Sequence, residues 1–200
     1  MLAIFVLVII LGVSFVGGGI GIYNSLKTSN NTVDQAAADI DTVTQRRMDL
    51  IPNLVGATKG VMKFEKDVFV EVTEARSKAG QANISFKDLQ NVTPEQMQQF
   101  QAAQQGLSGA ISRLLVVMEK YPDLKSHTQV TQLMDELAGT ENRIAVARKR
   151  YNETVKALND QIVVFPNNII AGWFNIQKRT MFQADEAAKT APKVDLSLDK

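Results

Sequence analysis

The sequence predicts an all-α protein in which an N-terminal transmembrane helix continues into an elongated, antiparallel four-helix bundle. Three observations carry that expectation. Residues 2–22 contain no charge, and all 22 basic and 21 acidic residues lie beyond them. Past residue 35 the apolar residues recur at steps of three and four, the helical period. Only five prolines and 6% aromatic residues leave little sign of a β architecture.

The first element is the run LAIFVLVIILGVSFVGGGIGI, residues 2–22. At 1.5 Å per residue it spans roughly 30 Å, the thickness of a bilayer's hydrocarbon core. A cleaved signal peptide would show a basic n-region, a shorter apolar stretch and an A-x-A-like exit, so the run reads as a retained anchor. Ser14, Gly17, Gly18 and Gly21 are spaced for close contact between spans, or else merely loosen the helix near the exit. Tyr23 falls at the interface, where an aromatic with a polar tip is comfortable. Lys27 and Asp34 balance one another after the span, so the charge rule assigns no side.

The second stretch follows Ala36, Ile40, Val43, Arg47, Leu50 and Leu54, and the line continues through Val61, Phe64, Val68, Val72, Ala75 and Ala79. Pro52 lies in its middle without Gly, Ser or Asp beside it. A kink is therefore expected rather than a turn, with Asn53 available to satisfy a freed backbone group. The anchor and residues 23–80 then form one long bent column. A polar break, GQANISFKDLQNV, ends it.

Thr93-Pro94-Glu95-Gln96 is a helix start with a capping box, and its stripe runs from Met97 to Tyr121, where Pro122 stops it. Ser126 or Thr128 opens the next helix, whose stripe runs from Leu133 through Thr140, Ile144 and Tyr151 to Phe165-Pro166. A last helix is expected over roughly 167–182. The tail from 183 is polar, with a short alternation at Val194, Leu196 and Leu198. The domain reading is an anchor over 1–22, a bundle over 23–182 and a tail over 183–200. Seams this long must be covered by other seams, which a helical bundle does.

Arg47 falls on the seam and Arg46 beside it. A guanidinium facing a bundle interior needs an acid, because an unpaired buried charge is very costly. Glu141 is the leading candidate, with Glu65, Glu119 and Glu136 behind it and Thr140 and Asn142 completing a network. The other reading of the arginines is an anionic ligand or lipid headgroup.

Chemistry is sparse. There is no Cys, and the single histidine, His127, lacks the co-ligands a zinc or di-iron site requires. No phosphate-cradling loop or nucleophile elbow is present, and a net charge of +1 gives no reason to expect nucleic acid. No catalytic residue, cofactor or metal is expected. The densest basic patch is Arg143, Arg148, Lys149 and Arg150, read as a solvated face or as a contact for acidic lipid or protein. The segment around Trp173 and Phe174, with Lys178 and Arg179, either lies on the membrane surface or completes the bundle.

Taken together, several motifs resemble the LemA family of bacterial membrane proteins. They are Tyr23-Asn24, Arg46-Arg47-Met48-Asp49-Leu50-Ile51-Pro52-Asn53-Leu54-Val55, Glu65 and Ala75-Arg76. Glu119-Lys120-Tyr121-Pro122-Asp123-Leu124-Lys125, Thr140-Glu141-Asn142-Arg143-Ile144 and Ala147-Arg148 follow. Tyr151-Asn152, Val155, Asn159, Phe165-Pro166, Ala171, Phe174 and Pro192-Lys193-Val194 complete them in order. Phe64 departs from the family's usual histidine, and Leu158 from a frequent tyrosine. The resemblance implies a single-pass protein of the bacterial inner membrane with an elongated bundle and no established activity. A relative in magnetosome-forming bacteria is associated with building that compartment. By analogy the expected role is a self-associating scaffold that organises the membrane, with the lipid bilayer and further copies as partners. The alternative is an adaptor that regulates another membrane protein or protease through an exposed face, with Tyr151 and Asn152 part of the polar network in either case.

Overall fold

A computed structural model of the 200-residue chain describes residues 1–62, 65–82, 92–125 and 127–183. Those residues are all-α in their regular structure. Helix α1 runs unbroken from Leu2 to Thr58, about 85 Å at 1.5 Å per residue. It is followed by α2 (Lys66–Gln81), α3 (Pro94–Met118), the single turn α4 (Pro122–Lys125), α5 (Thr128–Val163) and α6 (Asn167–Trp173).

Helix α1 passes through Pro52 without a turn. A proline there cannot donate to the carbonyl four residues back, that of Met48. Arg76 fills the vacancy: its Nε donates to the Met48 oxygen at 2.9 Å. The expected donor, Asn53, is exposed on the outer face. This bond also shows where the single-column expectation is overturned. Helix α2 returns alongside α1, with residue 76 level with 48. Thr58 closes α1 by donating to Leu54 O at 2.8 Å, and the amides of Val61 and Met62 both return to Thr58 O at 3.0 Å. Met62, fully buried, enters the core where the heptad count places Val61, which is exposed. The stripe therefore slips at the reversal. Phe64 lies outside the described residues, as do most of the break after Gln81, Ser126 and the tail from 184.

Helix α3 begins with the capping box: Gln96 N donates to Thr93 Oγ1 at 3.2 Å and Thr93 N to Gln96 Oε1 at 3.0 Å. It lies antiparallel to α2, with Arg113 reaching Glu71 at 2.7 Å and Tyr121 OH donating to Glu65 at 3.1 Å. Helix α5 runs antiparallel to α1, as Ser29 to Gln161 at 2.9 Å and Arg150 to Asp39 at 3.4 Å require. His127 caps α5 by position only, without a side-chain bond, and is exposed.

The packing forms two cores strung along α1. One gathers Leu26, Val33 and Ile40 of α1 with Phe100, Tyr151, Val155 and Leu158, and lies next to the apolar span. The other, farther out, gathers Leu54, Met62 and Val72 with Leu107, Leu114, Met118 and Leu137. Between them the seam positions turn polar.

The expected helix over 167–182 is a correction. Helix α6 stops at Trp173, and Asn175 adopts φ 51°. Asn175 N bonds Gly172 O at 3.3 Å while Ile176 N reaches back to Ala171 O at 2.9 Å, the paired bonds of a Schellman cap. Asn tolerates the left-handed region better than other residues with a Cβ, and this Asn ends the helix. Residues 176–183 then run as an extended strap along α5.

Candidate functional site

The polar layer between the two cores is built from three helices. Arg47 of α1 has a side chain only 1% exposed. Its Nη1 donates to Glu141 Oε1 of α5 at 2.8 Å and to Ser108 Oγ of α3 at 2.9 Å, and its Nη2 donates to Gln104 Oε1. Ser108 donates in turn to Glu141 Oε2 at 2.7 Å, closing the circuit. Arg47 Nε is buried without a partner. Thr44 and Thr140, also buried, donate to the carbonyls of Ile40 and Glu136 at 2.8 and 2.7 Å. A charge confined this way fixes which rows of α1, α3 and α5 face one another.

The other residues grouped with Arg47 on sequence grounds are dispersed. Arg46 is exposed and pairs with Glu136 at the rim. Glu65 accepts from Tyr121, while Glu119 and Asn142 are exposed. Tyr151 and Asn152 belong to a different constellation, the seating of the strap. Tyr151 OH donates to Thr180 O at 3.0 Å. Asn152 donates to Phe182 O and accepts from Phe182 N, both at 2.9 Å. Asn159 does the same to Arg179, at 3.0 and 2.9 Å, and Gln101 to Gln183, at 2.7 and 3.2 Å. Three carboxamides thus satisfy the backbone of one extended segment, the task a neighbouring strand performs in a sheet. Burial pushes the Tyr151 phenol up to about 12, with Arg179 opposing the shift and Asp34 adding to it.

The strap carries a second buried guanidinium. The Arg179 side chain is 1% exposed, and its Nη2 donates to Asn30 Oδ1 at 2.8 Å and Asp34 Oδ1 at 2.9 Å on α1. Sequence reasoning groups Arg179 with Trp173 and Phe174 in a segment that lies on the membrane surface or completes the bundle, and misses this role. The available signal is Asn30, a polar residue between Leu26 and Val33 on a seam otherwise apolar.

At the exit of the span, α6 lies against α1. Tyr23 and Phe174 meet with ring centroids 4.3 Å apart. Ile170 and Ala171 are buried, whereas Phe165, Ile169, Trp173 and Phe174 face outward. Ser14, Gly17, Gly18 and Gly21 are exposed on the span, and a Cβ at any of the three glycines would meet nothing within 4 Å. The basic patch divides: Arg148 lies 5.4 Å from the Phe182 ring centre, Arg150 pairs with Asp39, Lys149 faces Glu153 at 3.9 Å, and Arg143 is exposed.

Among the described residues, no group of three or more His, Cys, Asp or Glu is placed to hold a metal ion. The fold and its polar layer define a class: an all-α protein whose leading helix is long and apolar enough to cross a bilayer, none of that apolar window being covered by the other described residues. The chain belongs to the LemA family, whose profile it matches over residues 36–196. It is also similar to the magnetosome proteins MamQ 1 and MamQ 2 of Paramagnetospirillum magneticum, each 24% identical over 94% of this chain and 74% of the relative. Magnetosome protein MamQ of Magnetospirillum gryphiswaldense is 24% identical over 84% of this chain and 67% of its own length.

Proposed function

We propose that this protein is a non-enzymatic, self-associating helical scaffold of the bacterial inner membrane. In this reading residues 1–22 anchor it, and residues 23–182 form an elongated four-helix bundle. The observation that carries the proposal is the continuity of α1, which enters both cores without a linker after the apolar span. Contacts between spans are then transmitted to the bundles as fixed geometry. The uncovered face of Ser14, Gly17 and Gly21 supports such contacts, since small residues let helices approach closely in lipid. Homo-oligomers generally close on a point group, which turns such contacts into a defined assembly.

Mass measurement of the full chain in nanodiscs or mild detergent tests the proposal. The expected species is an oligomer that dissociates when Gly17 and Gly21 are both replaced by Ile. A strict monomer at high concentration overturns it. The adaptor reading draws on a different surface, where Val146 is 67% exposed beside Arg143, Lys149 and Arg150. A crosslinker placed at residue 150 that captures a distinct membrane protein, and no second copy of this chain, favours the adaptor.

A further inference from the structure

We propose that the angle between the span and α6 is a binding site for one anionic phospholipid, whose acyl chain lies in an apolar groove and whose phosphate meets Lys27 and Arg179. The proposal rests on residues 2–22 lying in the bilayer. The groove is about 530 Å³, within the range of sites that hold small ligands. Its floor is Gly18, Gly19 and Ile22 of α1, and its walls are Phe165, Ile169 and Trp173. Because the floor is the span itself, the groove opens at the depth of lipid tails, and an acyl chain is the apolar group at hand there.

At Phe174 the groove meets a smaller notch of about 100 Å³. Lys27 and Arg179 line the notch with the amide side chains of Asn30, Asn175 and Gln177, and among the described residues no carboxylate lines it. Asp34 and Asn30 engage one end of the Arg179 guanidinium, but Nη1 is buried with no hydrogen-bond partner. A buried, unfilled donor beside an exposed lysine is suited to an anionic oxygen. Tyr23 and Phe174, ring against ring, mark the level between tail and headgroup. One ligand class joins the two chemistries in this order, an apolar chain below and an anion directly above.

Trp173 is the chain's single tryptophan and lines the groove, so it reports occupancy directly. Full-length protein in a neutral detergent is titrated with phosphatidylglycerol or phosphatidylcholine carrying the same brominated acyl chains, and Trp173 quenching is followed. Phosphatidylglycerol is expected to quench at about fivefold lower concentration or less, the worth of one basic group at an anionic lipid. Lys27→Gln is expected to remove most of that preference while leaving the melting temperature unchanged, since Lys27 is exposed. Gly19→Leu fills the groove and is expected to suppress quenching by both lipids. Its Cβ would meet Ile170 at 3.8 Å, an ordinary contact, and Ile169→Phe fills the groove from the other side. Equal quenching by the two lipids, or an undiminished preference in Lys27→Gln, overturns the proposal. So does displacement by water-soluble glycerol phosphate, which would mark a site for free phosphate. Release of the full chain from membranes by alkaline carbonate would instead count against the anchor itself.

Discussion

Replacing Glu141 by Ala is the most direct perturbation of the polar layer. The Arg47 side chain is 1% exposed, and the Glu141 carboxylate at 2.8 Å neutralises it. With charge centres about 4 Å apart and an effective dielectric near 20, the attraction is about 4 kcal/mol. Glu141 itself is 29% exposed on its side chain, so water screens part of this. Gln104 and Ser108 still accept from the guanidinium once the acid is gone, which keeps the loss below that of a fully orphaned charge. The expected cost is about 2–3 kcal/mol. For a chain of this size that lowers the melting temperature by about 4–12 °C. Thermal unfolding of the full chain in detergent, followed by far-ultraviolet circular dichroism, reads it. Arg47→Met combined with Glu141→Leu is expected to recover most of the loss, because an apolar pair of similar volume escapes the desolvation penalty. A loss below about 1 kcal/mol in Glu141→Ala refutes the reasoning, as does a double variant no more stable than the single one. Glu136→Ala is the internal comparison. Its partner Arg46 is 58% exposed, so its loss stays under about 1 kcal/mol and shrinks with added salt.

Three further outcomes follow from the geometry. Arg76→Met removes the donor on the Met48 carbonyl and is expected to cost about 1–2 kcal/mol; in a Pro52→Ala background, where an amide serves the same oxygen, the cost falls, and strict additivity in the double-mutant cycle would deny the link. Asn152→Ala and Asn159→Ala each delete two bonds to the strap, about 2 kcal/mol, so tryptic cleavage after exposed Lys178 accelerates roughly thirtyfold; an unchanged rate speaks against the strap's seating. Tyr151 has its pKa raised from 10.0 to about 12, so the neutral phenol stabilises the fold fully below pH 10 and that contribution disappears as pH climbs through 12. Two units correspond to about 3 kcal/mol, and Tyr151→Phe is expected to flatten stability over this alkaline range.

How far the sequence discloses the fold depends on whether local chemistry or distant register decides each feature. The capping box at Thr93 is local, because the cap, the proline and Gln96 lie within four residues. The apolar span is equally local. The end of α1 is different, since hydrophobic spacing continues across residues 59–65 and only the third dimension shows that Met62 rather than Val61 turns inward. Helix α6 contains a local stop at Asn175, but a lone Asn is a weak signal beside Ile169, Ile170, Trp173 and Phe174 at helical spacing. Arg47 lies on the buried line by count alone. That Ser108 and Gln104 complete its shell, while Thr140 turns to its own helix and Asn142 to solvent, depends on how α3 and α5 are rotated.

The carboxamides that seat the strap share one physical logic. A buried Asn or Gln invites pairing with another side chain, yet Asn152, Asn159 and Gln101 each read the amide and carbonyl of one strap residue. Backbone recognition is blind to strap side chains, so buried Arg179 and Phe182, with Ile176 and Met181 packed against the core and the Thr180 hydroxyl donating to Val92 O at 3.0 Å, tie the strap to a particular sequence. The remaining buried polar groups follow a similar economy. Thr44, Thr58 and Thr140 return to carbonyls four residues back, Gln104 serves Arg47, and Asn30 serves Arg179. The threonine bonds stay within their own helices, whereas those of Gln104 and Asn30 help hold α1, α3 and the strap in one register. Two buried donors that lack a hydrogen-bond partner, Arg47 Nε and Arg179 Nη1, differ in their surroundings. Arg47 is enclosed between the two cores, whereas Arg179 lines the notch beside the span exit, so the unfilled Arg179 donor lies beside the proposed lipid site.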